Sequence, residues 1–214
     1  SLPLAPITIS AWLEELLEQQ FEREVRGVIP NSVNHDIFYP DPSGDRESFM
    51  VLISARGAPW KGERQARQLA RTLTEEYEID IHTFGSDPSP GSYPPDVTHH
   101  PDLTDKKLRE LYSDADIFVL PSWAEGDQLP PLEAMACKTA VVATNVGGVP
   151  EYGEDGENMA VVPPRDSTTL IEAVCELINN RNQRERFVNN GFKHVREYSW
   201  EDATNIFETT IEKI

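Results

Sequence analysis

The sequence predicts an α/β fold, in which a mostly parallel sheet is flanked by helices and followed by a helical tail. Apolar runs at residues 49–55, 117–120 and 139–145 have the length and composition of buried strands. Segments with helical periodicity lie between these runs, and strands that alternate with helices form right-handed βαβ units. The 214 residues are enough for one domain with a substantial core.

Composition argues against several classes of function. The formal net charge of −18 gives a surface that repels phosphate backbones, so we expect no nucleic-acid partner. No apolar run is long enough to span a bilayer, and residues 1–10 lack the basic start and long apolar stretch of a signal peptide. Cys137 and Cys175 both fall in predicted helices, which favours a reduced cytoplasmic protein, while a disulfide between them stays open.

The segment before the first long strand combines two short strands with a helix. Residues 6–10 and 27–30 have the composition of strands, and Ser10 is placed to cap the helix that follows it. Residues 41–47 are rich in proline, glycine, serine and charge, which predicts an exposed loop. Five apolar residues share one face of the helix: Trp12, Leu13, Leu16, Leu17 and Phe21.

Two cations follow the strand at residues 49–55. Arg56 comes directly after it, and Lys61 lies beyond a Gly-Ala-Pro-Trp turn. In an open α/β sheet, ligands bind beyond the carboxyl ends of the strands, where both residues are expected. An arginine offers a planar fork to phosphate oxygens and a lysine offers a compact charge, so the pair is a candidate phosphate site. The alternative is two solvated cations on a loop, which is the commoner situation for an arbitrary pair.

The middle of the chain continues the alternation of strands and helices. Residues 79–84 and 97–100 are predicted strands, separated by a surface loop rich in proline and glycine at residues 85–96. A helix over residues 102–116 is capped by Thr104 or Asp102. His99 and His100 alternate sides of the second strand, so we expect satisfied or solvated side chains rather than a metal pair.

Two glutamates lie close together after the strand at residues 117–120. Glu125 is on a loop facing the start of a short helix, and Glu133 is inside that helix, which Pro130 or Pro131 can begin. The residues one turn from Glu133 are all apolar, and an unpaired buried charge is expensive. Glu133 therefore needs a partner, either a lysine, arginine or backbone N–H of the chain or a hydroxyl of a ligand. The spacing alone favours the internal partner.

The rest of the chain adds two strands and three helices. Residues 139–145 and 158–162 are the strands. The first helix is capped by Asp166, the second contains residues 187–195, and the third begins at Ser199 with Asp202. We expect their apolar stripes to be core rather than cofactor contacts. The predicted buried residues are Leu170, Ile171, Val174, Leu177, Ile178, Phe187, Val188, Phe192, Val195, Ala203, Ile206, Phe207 and Ile211.

Three motifs resemble one known family. EGDQLPPLEAMAC at residues 125–137, AVVATNVGGVPE at 140–151 and DGENMAVVPPRD at 155–166 resemble the signature region of family-4 glycosyltransferases with the GT-B fold. That family has a glutamate pair with this spacing in a pattern like EGFGLPxLEAMA. IPNSVN at residues 29–34 is similar to the family's IPNGVD linker, and Arg56 with Lys61 to its GRxxxxKG motif. The similarity extends from about Ile7 to the C-terminus, in the family's order.

The resemblance implies a fold and a division of the chain. The fold is a Rossmann-like parallel sheet flanked by helices, one half of a GT-B enzyme, with a C-terminal helical tail. Residues 1–34 would be the end of an N-terminal domain and the interdomain linker, 35–198 the nucleotide-sugar-binding domain and 199–214 a C-terminal helix. An N-terminal domain of the same protein would be missing from this chain, so we expect the fragment alone to be inactive. The implied location is cytoplasmic, with peripheral membrane contact through the missing domain left open.

The resemblance also implies an activity, namely retaining transfer of a sugar from a nucleotide diphosphate sugar to an acceptor. Arg56 and Lys61 would hold the diphosphate, aided by backbone N–H groups and the dipole of the helix at Leu129, and Glu125 would bind a sugar hydroxyl. Glu133 would bind the ribose, and Leu103 and Asp105 would pack on the base. The other donor-binding residues would be Gly126, Asp127, Gln128, Leu129 and Pro130. No metal and no cofactor besides the donor substrate is expected, and the acceptor, a sugar, lipid or protein, is not identified.

One departure from the family pattern makes the donor sugar the least transferable feature. Gln128 stands where the family has a glycine, whose backbone approaches the sugar closely. Two other classes of function stay open, a binding module and a dinucleotide-dependent enzyme, and an interaction scaffold is a further, incomplete explanation. A nucleotide-sugar-binding module without transfer activity would have almost the same sequence. A dinucleotide-dependent enzyme predicts a G-x-G-x-x-G turn, but ARGAPWKG is present at residues 55–62. An interaction scaffold would explain the acidic surface but not the grouping of Arg56, Lys61, Glu125 and Glu133.

Overall fold

A computed structural model of the chain describes residues 6–44, 47–85 and 93–213. In this part of the chain six parallel strands form one sheet in the order β3-β2-β1-β4-β5-β6. The predicted α/β fold is confirmed. The strands are β1 (Met50–Ser54), β2 (Asp80–Phe84), β3 (Thr98–His100), β4 (Ile117–Leu120), β5 (Ala140–Thr144) and β6 (Ala160–Val162).

The strand order creates a switch point in the middle of the sheet. From β1 the chain moves outward through β2 to β3, and it then returns to place β4 on the other side of β1. Val51 pairs with Ile117 and Ile53 with Val119, so both strands end at the same edge. The connections after β1 and β4 run in opposite directions, which opens a crevice at their carboxyl ends.

Helices cover both faces of the sheet, and each face has its own buried core. Buried side chains of α2 and α6, including Leu69 and Val174, pack on one face. Buried side chains of α3 and α4, including Tyr112 and Met135, pack on the other. The helices are α1 (Ala11–Phe21), α2 (Glu63–Glu76), α3 (Asp105–Asp114), α4 (Leu129–Ala136), α5 (Val149–Tyr152), α6 (Ser167–Asn179), α7 (Arg181–Val195) and α8 (Trp200–Ile211), with a 3₁₀ turn at Pro59–Lys61.

Predicted side-chain caps begin four of these helices. The Ser10 side chain accepts a hydrogen bond from the N–H of Leu13, and Asp166 accepts from two N–H groups in the first turn of α6. Ser199 accepts from Asp202 N–H at the start of α8. Thr104, rather than Asp102, caps α3. Each cap satisfies a backbone donor that the first turn of a helix leaves without an intrahelical partner.

Two predictions for the ends of the chain are wrong. Residues 6–10 and 27–30 form no strands of the sheet, since they pair only with each other, through an isolated parallel bridge between Thr8 and Val28. Most of the apolar stripe of α8 is not core as predicted, since Ile211 is 48% exposed. The apolar face of α1, for which no burial was predicted, is also open to solvent, with Phe21 60% exposed. Both helices lie outside the two cores, because no further layer covers them within the described residues. In α8, Ala203 alone of the predicted apolar residues is buried.

Some predictions concern residues outside the described part of the chain. The surface loop at residues 85–96 falls largely on residues 86–92, and the loop at 41–47 includes residues 45 and 46. The division of the chain at residues 34 and 198 stays a prediction. Of the helices the structure describes, none is both long and apolar enough to cross a bilayer.

Candidate functional site

Several of the predicted site residues line a cavity at the switch point between β1 and β4. Arg56 enters it from the end of β1, Glu125 from the loop after β4, and Gln128 from the start of α4. Its volume is about 170 Å³. The lining residues are Asn31, Arg56, Leu120, Glu125, Asp127, Gln128, Leu129 and Pro130.

Two glycines allow the loops around the cavity to approach one another closely. Gly62 has a φ of 74°, and a Cβ built there would lie 1.8 Å from the carbonyl oxygen of Pro121. Gly147 has a φ of 57°, and its Cβ would lie 2.6 Å from the carbonyl oxygen of Glu125. A side chain at either position would push the loops apart, and both conformations favour glycine. The first contact brings the 3₁₀ turn carrying Lys61 against the end of β4.

Lys61 and Glu125 form a largely buried ion pair beside the cavity. The Lys61 Nζ lies 2.7 Å from Oε1 and 2.6 Å from Oε2 of Glu125, and the two side chains are 20% and 10% exposed. The Ser122 hydroxyl also donates to Oε1 at 2.7 Å. Because a lysine ammonium has three N–H donors, one remains after both carboxylate oxygens are engaged. Lys61 is therefore not a freely solvated cation, and Glu125 holds it at the rim of the cavity.

Arg56 is the second cation of the site. None of the ion pairs between residues that the structure describes involves it. Its guanidinium is close enough to Glu133 to lower the pKa of that carboxyl group. Arg56 therefore lines the cavity and also acts electrostatically on Glu133, and no residue that the structure describes forms an ion pair with it.

Glu133 has a different internal partner from the one predicted. It accepts a hydrogen bond from the Tyr112 hydroxyl of α3 at 3.2 Å, rather than from a lysine, an arginine or a backbone N–H. Burial raises the pKa of Glu133 from 4.5 to about 7, and the Tyr112 hydrogen bond and the Arg56 charge only partly oppose this. A tyrosine 21 residues earlier gives no spacing signal in the sequence, since the contact depends on the packing of α3 against α4.

The remaining predicted residues divide between the cavity and its surroundings. Leu103 packs against the core, and Asp105 is exposed at the start of α3, where its charge raises the pKa of Glu133. The cavity lining does not include Gly126, whose carbonyl accepts a hydrogen bond from Gly148 N–H at 2.9 Å. Leu103, Asp105 and Glu133 thus form a second group near the start of α3, outside the lining of the cavity.

The sequence interpretation missed two contributors. The backbone N–H of Asn31 donates to Asp127 Oδ2 at 3.1 Å, which fastens the segment at residues 29–34 to the cavity. Burial raises the pKa of Asp127, and this N–H opposes the shift. Ser122 supports Glu125, as described above. The similarity of residues 29–34 to a family motif was the available signal for Asn31, whereas a serine three residues before a glutamate is too common to be informative.

The start of α4 offers fewer donors than expected. Pro130 and Pro131 have no backbone N–H, and the Gln128 side chain does not cap the helix. Of the first three residues of the helix, Leu129 alone supplies a backbone N–H to the cavity side. The expectation of several N–H groups is therefore wrong, although the positive end of the helix dipole still points toward the cavity.

Two other features of the surface do not form a comparable site. A larger open cleft of about 770 Å³ lies at the amino ends of β1 and β4, between residues 42–49 and 181–189. Ligands of open α/β sheets bind at the opposite edge, so the smaller cavity is the better candidate. His99 and His100 each have a side-chain partner and form no metal pair, since His100 contacts His82 and His99 contacts Thr83, each at 2.9 Å. The described residues include no group of three or more His, Cys, Asp or Glu side chains that could hold a metal.

Comparison with known proteins agrees with the motifs. Residues 92–194 match the family Glycosyl transferases group 1. The chain is 28% identical over 187 residues to the MMP alpha-(1->4)-mannosyltransferase of Mycolicibacterium hassiacum. This alignment covers 82% of this chain and 45% of that protein. It is 42% identical over 105 residues to the alpha-maltose-1-phosphate synthase of Mycobacterium tuberculosis, and this alignment covers 46% of this chain and 27% of that protein. The chain thus spans less than half the length of these relatives.

Solved structures show the same architecture. The sucrose-phosphate synthase of Thermosynechococcus elongatus has a TM-score of 0.83 at 24% identity, covering 97% of this chain and 57% of that one. HepE of Anabaena in complex with UDP-glucose has a TM-score of 0.79 at 20% identity, and the superposition covers 98% of this chain and 63% of HepE. At these identities the likeness establishes the fold. Residues 92–194 thus match the glycosyl transferases group 1 family, and the chain has the fold of one GT-B half-domain.

Proposed function

We propose that this chain is the donor-binding domain of a retaining glycosyltransferase and that a nucleotide diphosphate sugar binds at the β1–β4 switch point. The observation that carries the proposal is the cavity itself. An arginine and the start of a helix line it, and a lysine held by the Glu125 carboxylate lies beside it, at the edge where open α/β sheets bind ligands. The UDP-glucose found in the HepE structure supports this class of ligand.

The proposed roles follow from charge. Arg56, the remaining N–H of Lys61 and the start of α4 stabilise the diphosphate, which gains negative charge as the sugar leaves. These cations work against a chain of net charge −18, so a local cluster is needed to attract an anion. We assign neutralisation of the diphosphate to these groups and not to a metal ion. The domain would supply the donor half of the reaction, while the acceptor would be positioned by other parts of the protein.

The carboxylates have binding roles in this proposal. Both oxygens of Glu125 are engaged by Lys61, and Ser122 also donates to Oε1, so we assign it to orienting Lys61 and binding a sugar hydroxyl rather than to attacking the sugar. Glu133 would accept a hydrogen bond from the ribose. Leu103 and Asp105, at the start of α3, would contact the base, and the effect of Asp105 on the pKa of Glu133 supports a location near the proposed ribose site.

We expect Arg56→Ala to weaken binding of a nucleoside diphosphate by about tenfold or more, because charge-assisted hydrogen bonds contribute about 1.5–3 kcal/mol. The loss should be much smaller for the bare nucleoside, which has no phosphate. Calorimetric titrations of parent and variant with UDP, GDP and ADP, and with uridine, guanosine and adenosine, measure both effects.

Arg181→Ala is the matched control, because Arg181 is exposed and pairs with Glu185 at the other edge of the molecule. It should leave all these affinities unchanged. Equal binding by the parent and the Arg56 variant would contradict the proposed role of Arg56. Turnover by the full-length protein then separates a transferase from a module that only binds the donor.

A further inference from the structure

A second cavity shares Glu125 with the candidate donor cavity. It has a volume of about 290 Å³ and lies between Trp12, at the start of α1, and Trp123, in the loop after β4. Asn145, in the loop after β5, also lines it. Two of the four tryptophans of the chain thus line one small cavity, at the edge where β4 and β5 end. We call this cavity the tryptophan pocket.

Hydrogen bonds hold both walls of the tryptophan pocket in place. The backbone N–H groups of Ala11 and Trp12 donate to the two carboxylate oxygens of Glu151, at 3.1 and 3.2 Å, which fixes the start of α1 against α5. The Trp123 Nε1–H donates to Gln65 Oε1 at 2.8 Å, which fixes this indole against α2. A pocket whose walls are already in place binds a ligand at a smaller ordering cost. The two tryptophans therefore form a binding surface that exists before a ligand arrives.

The charge of the tryptophan pocket disfavours anions. Glu125 is the one charged residue among the described residues that line it, and Lys61 and Ser122 already hold its carboxylate oxygens. Arg165 lies 4.9 Å from the ring centroid of Trp123 but is not among the lining residues. A phosphate or carboxylate bound there would face a carboxylate in a pocket that no cation lines. The ligand that fits is therefore neutral.

A sugar ring matches this combination of aromatic and polar walls. Its C–H groups form apolar faces that pack on the electron-rich face of an indole, while its hydroxyl groups lie at the rim. Asn145 is exposed, and its side-chain amide offers N–H donors and an acceptor oxygen to such hydroxyls. Small-molecule sites are typically apolar and aromatic with a few polar groups, and 290 Å³ is near the lower end of their usual range of about 300–1,000 Å³. This size suits a single sugar unit.

We propose that the tryptophan pocket binds a neutral sugar ring of the acceptor, which makes a saccharide the acceptor class of this protein. The inference rests on the proposed function and deepens it. Because Glu125 lines both cavities, a ring bound between Trp12 and Trp123 lies next to the proposed position of the donor sugar. Other parts of the protein would still position the reacting hydroxyl, while this pocket holds one ring of the acceptor.

The test follows the four indole N–H signals of the ¹⁵N-labelled protein in NMR titrations, with each signal assigned by replacing its tryptophan. The probes are the methyl α-glycosides of glucose, mannose and galactose, and 1-hexanol as an apolar ligand without a sugar ring. We expect at least one glycoside to shift the Trp12 and Trp123 signals together, with a dissociation constant in the millimolar range, while the Trp200 signal stays in place. 1-Hexanol should bind at least about threefold more weakly than that glycoside.

Trp12→Leu tests the pocket, and Trp200→Leu is the matched control. Trp12 is 41% exposed and Trp200 47%, and each lies in the first turn of its helix, so neither replacement opens a cavity in the core. Trp12→Leu should weaken binding of the glycoside about 3- to 10-fold, and Trp200→Leu should leave it unchanged. Both variants should bind UDP and GDP as the parent does, because neither tryptophan lines the candidate donor cavity.

The outcomes separate this inference from the function it rests on. The glycoside shifts should persist when UDP or GDP saturates the protein, because donor and acceptor must be bound together. Their loss on addition of nucleotide, equal glycoside affinities of the parent and Trp12→Leu, or binding of 1-hexanol as tight as that of any glycoside would each overturn the inference. No shift with any glycoside at about 100 mM would do the same.

All these results leave the proposed function intact as long as UDP or GDP binds. The reverse result is also distinct. Glycosides that bind to a protein with no affinity for UDP, GDP, UDP-glucose or GDP-mannose would overturn the proposed function, and with it the acceptor role of the tryptophan pocket.

Discussion

Replacement of Lys61 by methionine will lower the free energy of unfolding by about 3 kcal/mol at neutral pH, the lower end of what is found when one partner of a buried ion pair is removed. The change leaves the Glu125 carboxylate, which is 10% exposed, with the Ser122 hydroxyl as its main hydrogen-bond donor. Some water reaches the pair, which is why we expect the lower end. Urea unfolding monitored by circular dichroism measures the difference. The same variant should lose affinity for nucleoside diphosphates.

The chain provides a matched ion pair on its surface. Lys107 and Glu110 are 2.7 Å apart, but their side chains are 66% and 22% exposed. Lys107→Met should cost less than about 0.5 kcal/mol, because exposed ion pairs are screened and contribute little. A double variant, Lys61→Met with Glu125→Gln, should recover part of the loss, since no unpaired charge then remains buried. Similar losses for Lys61→Met and Lys107→Met would show that the pair beside the cavity is solvated.

Replacement of Glu133 by glutamine will raise the free energy of unfolding by about 3 kcal/mol at about pH 8, because each unit of pKa shift corresponds to about 1.36 kcal/mol. The folded-state pKa of about 7 lies above the ordinary value of 4.5, so the folded protein holds this proton more tightly. The stability from Glu133 is therefore complete below about pH 4.5 and is lost as the pH rises to about 7. Glutamine is neutral throughout and can still accept from Tyr112.

The pH dependence distinguishes this explanation from a buried ion pair. The stabilisation by Glu133→Gln should disappear at about pH 4, because the Glu133 carboxyl group of the parent is then protonated and as neutral as the glutamine of the variant. Glu110→Gln is a control for which the expected change in stability has the opposite sign. The Lys107 hydrogen bond lowers the pKa of Glu110, so this carboxylate stabilises the fold at pH values above its ordinary pKa, and its replacement should destabilise the protein there. Thermal unfolding across this pH range measures both variants. Loss of stability in Glu133→Gln at about pH 8 would mean that the charged form is the one the fold stabilises.

Local patterns in the sequence were sufficient for most of the fold. Strands β1, β4 and β5 are short apolar runs, and a strand buried on both faces is visible as such without knowledge of its neighbours. The caps at Thr104 and Asp166 were also predictable, because a capping side chain bonds to residues within the next turn. The crevice between β1 and β4 follows from the alternation of strands and helices once the strand order is known.

What the patterns could not supply was the identity of distant partners. The apolar stripes of α1 and α8 predict a face that could be buried, but not whether another element covers it. Tyr112 as the partner of Glu133 depends on how α3 packs on α4, and Lys61 as the partner of Glu125 depends on the close contact at Gly62. The site residues were thus identified by type, while their pairings required the structure.

The central claim is that a nucleotide diphosphate sugar binds at the carboxyl ends of β1 and β4. The most direct measurement is an NMR titration of the isotopically labelled protein with UDP-glucose and GDP-mannose, following backbone and side-chain amide signals. We expect the largest shifts at Arg56, at residues 125–129 and at the Gln128 side-chain amide, which reports the cavity directly. Shifts confined to the cleft between residues 42–49 and 181–189, or no shifts at millimolar donor, would contradict the account.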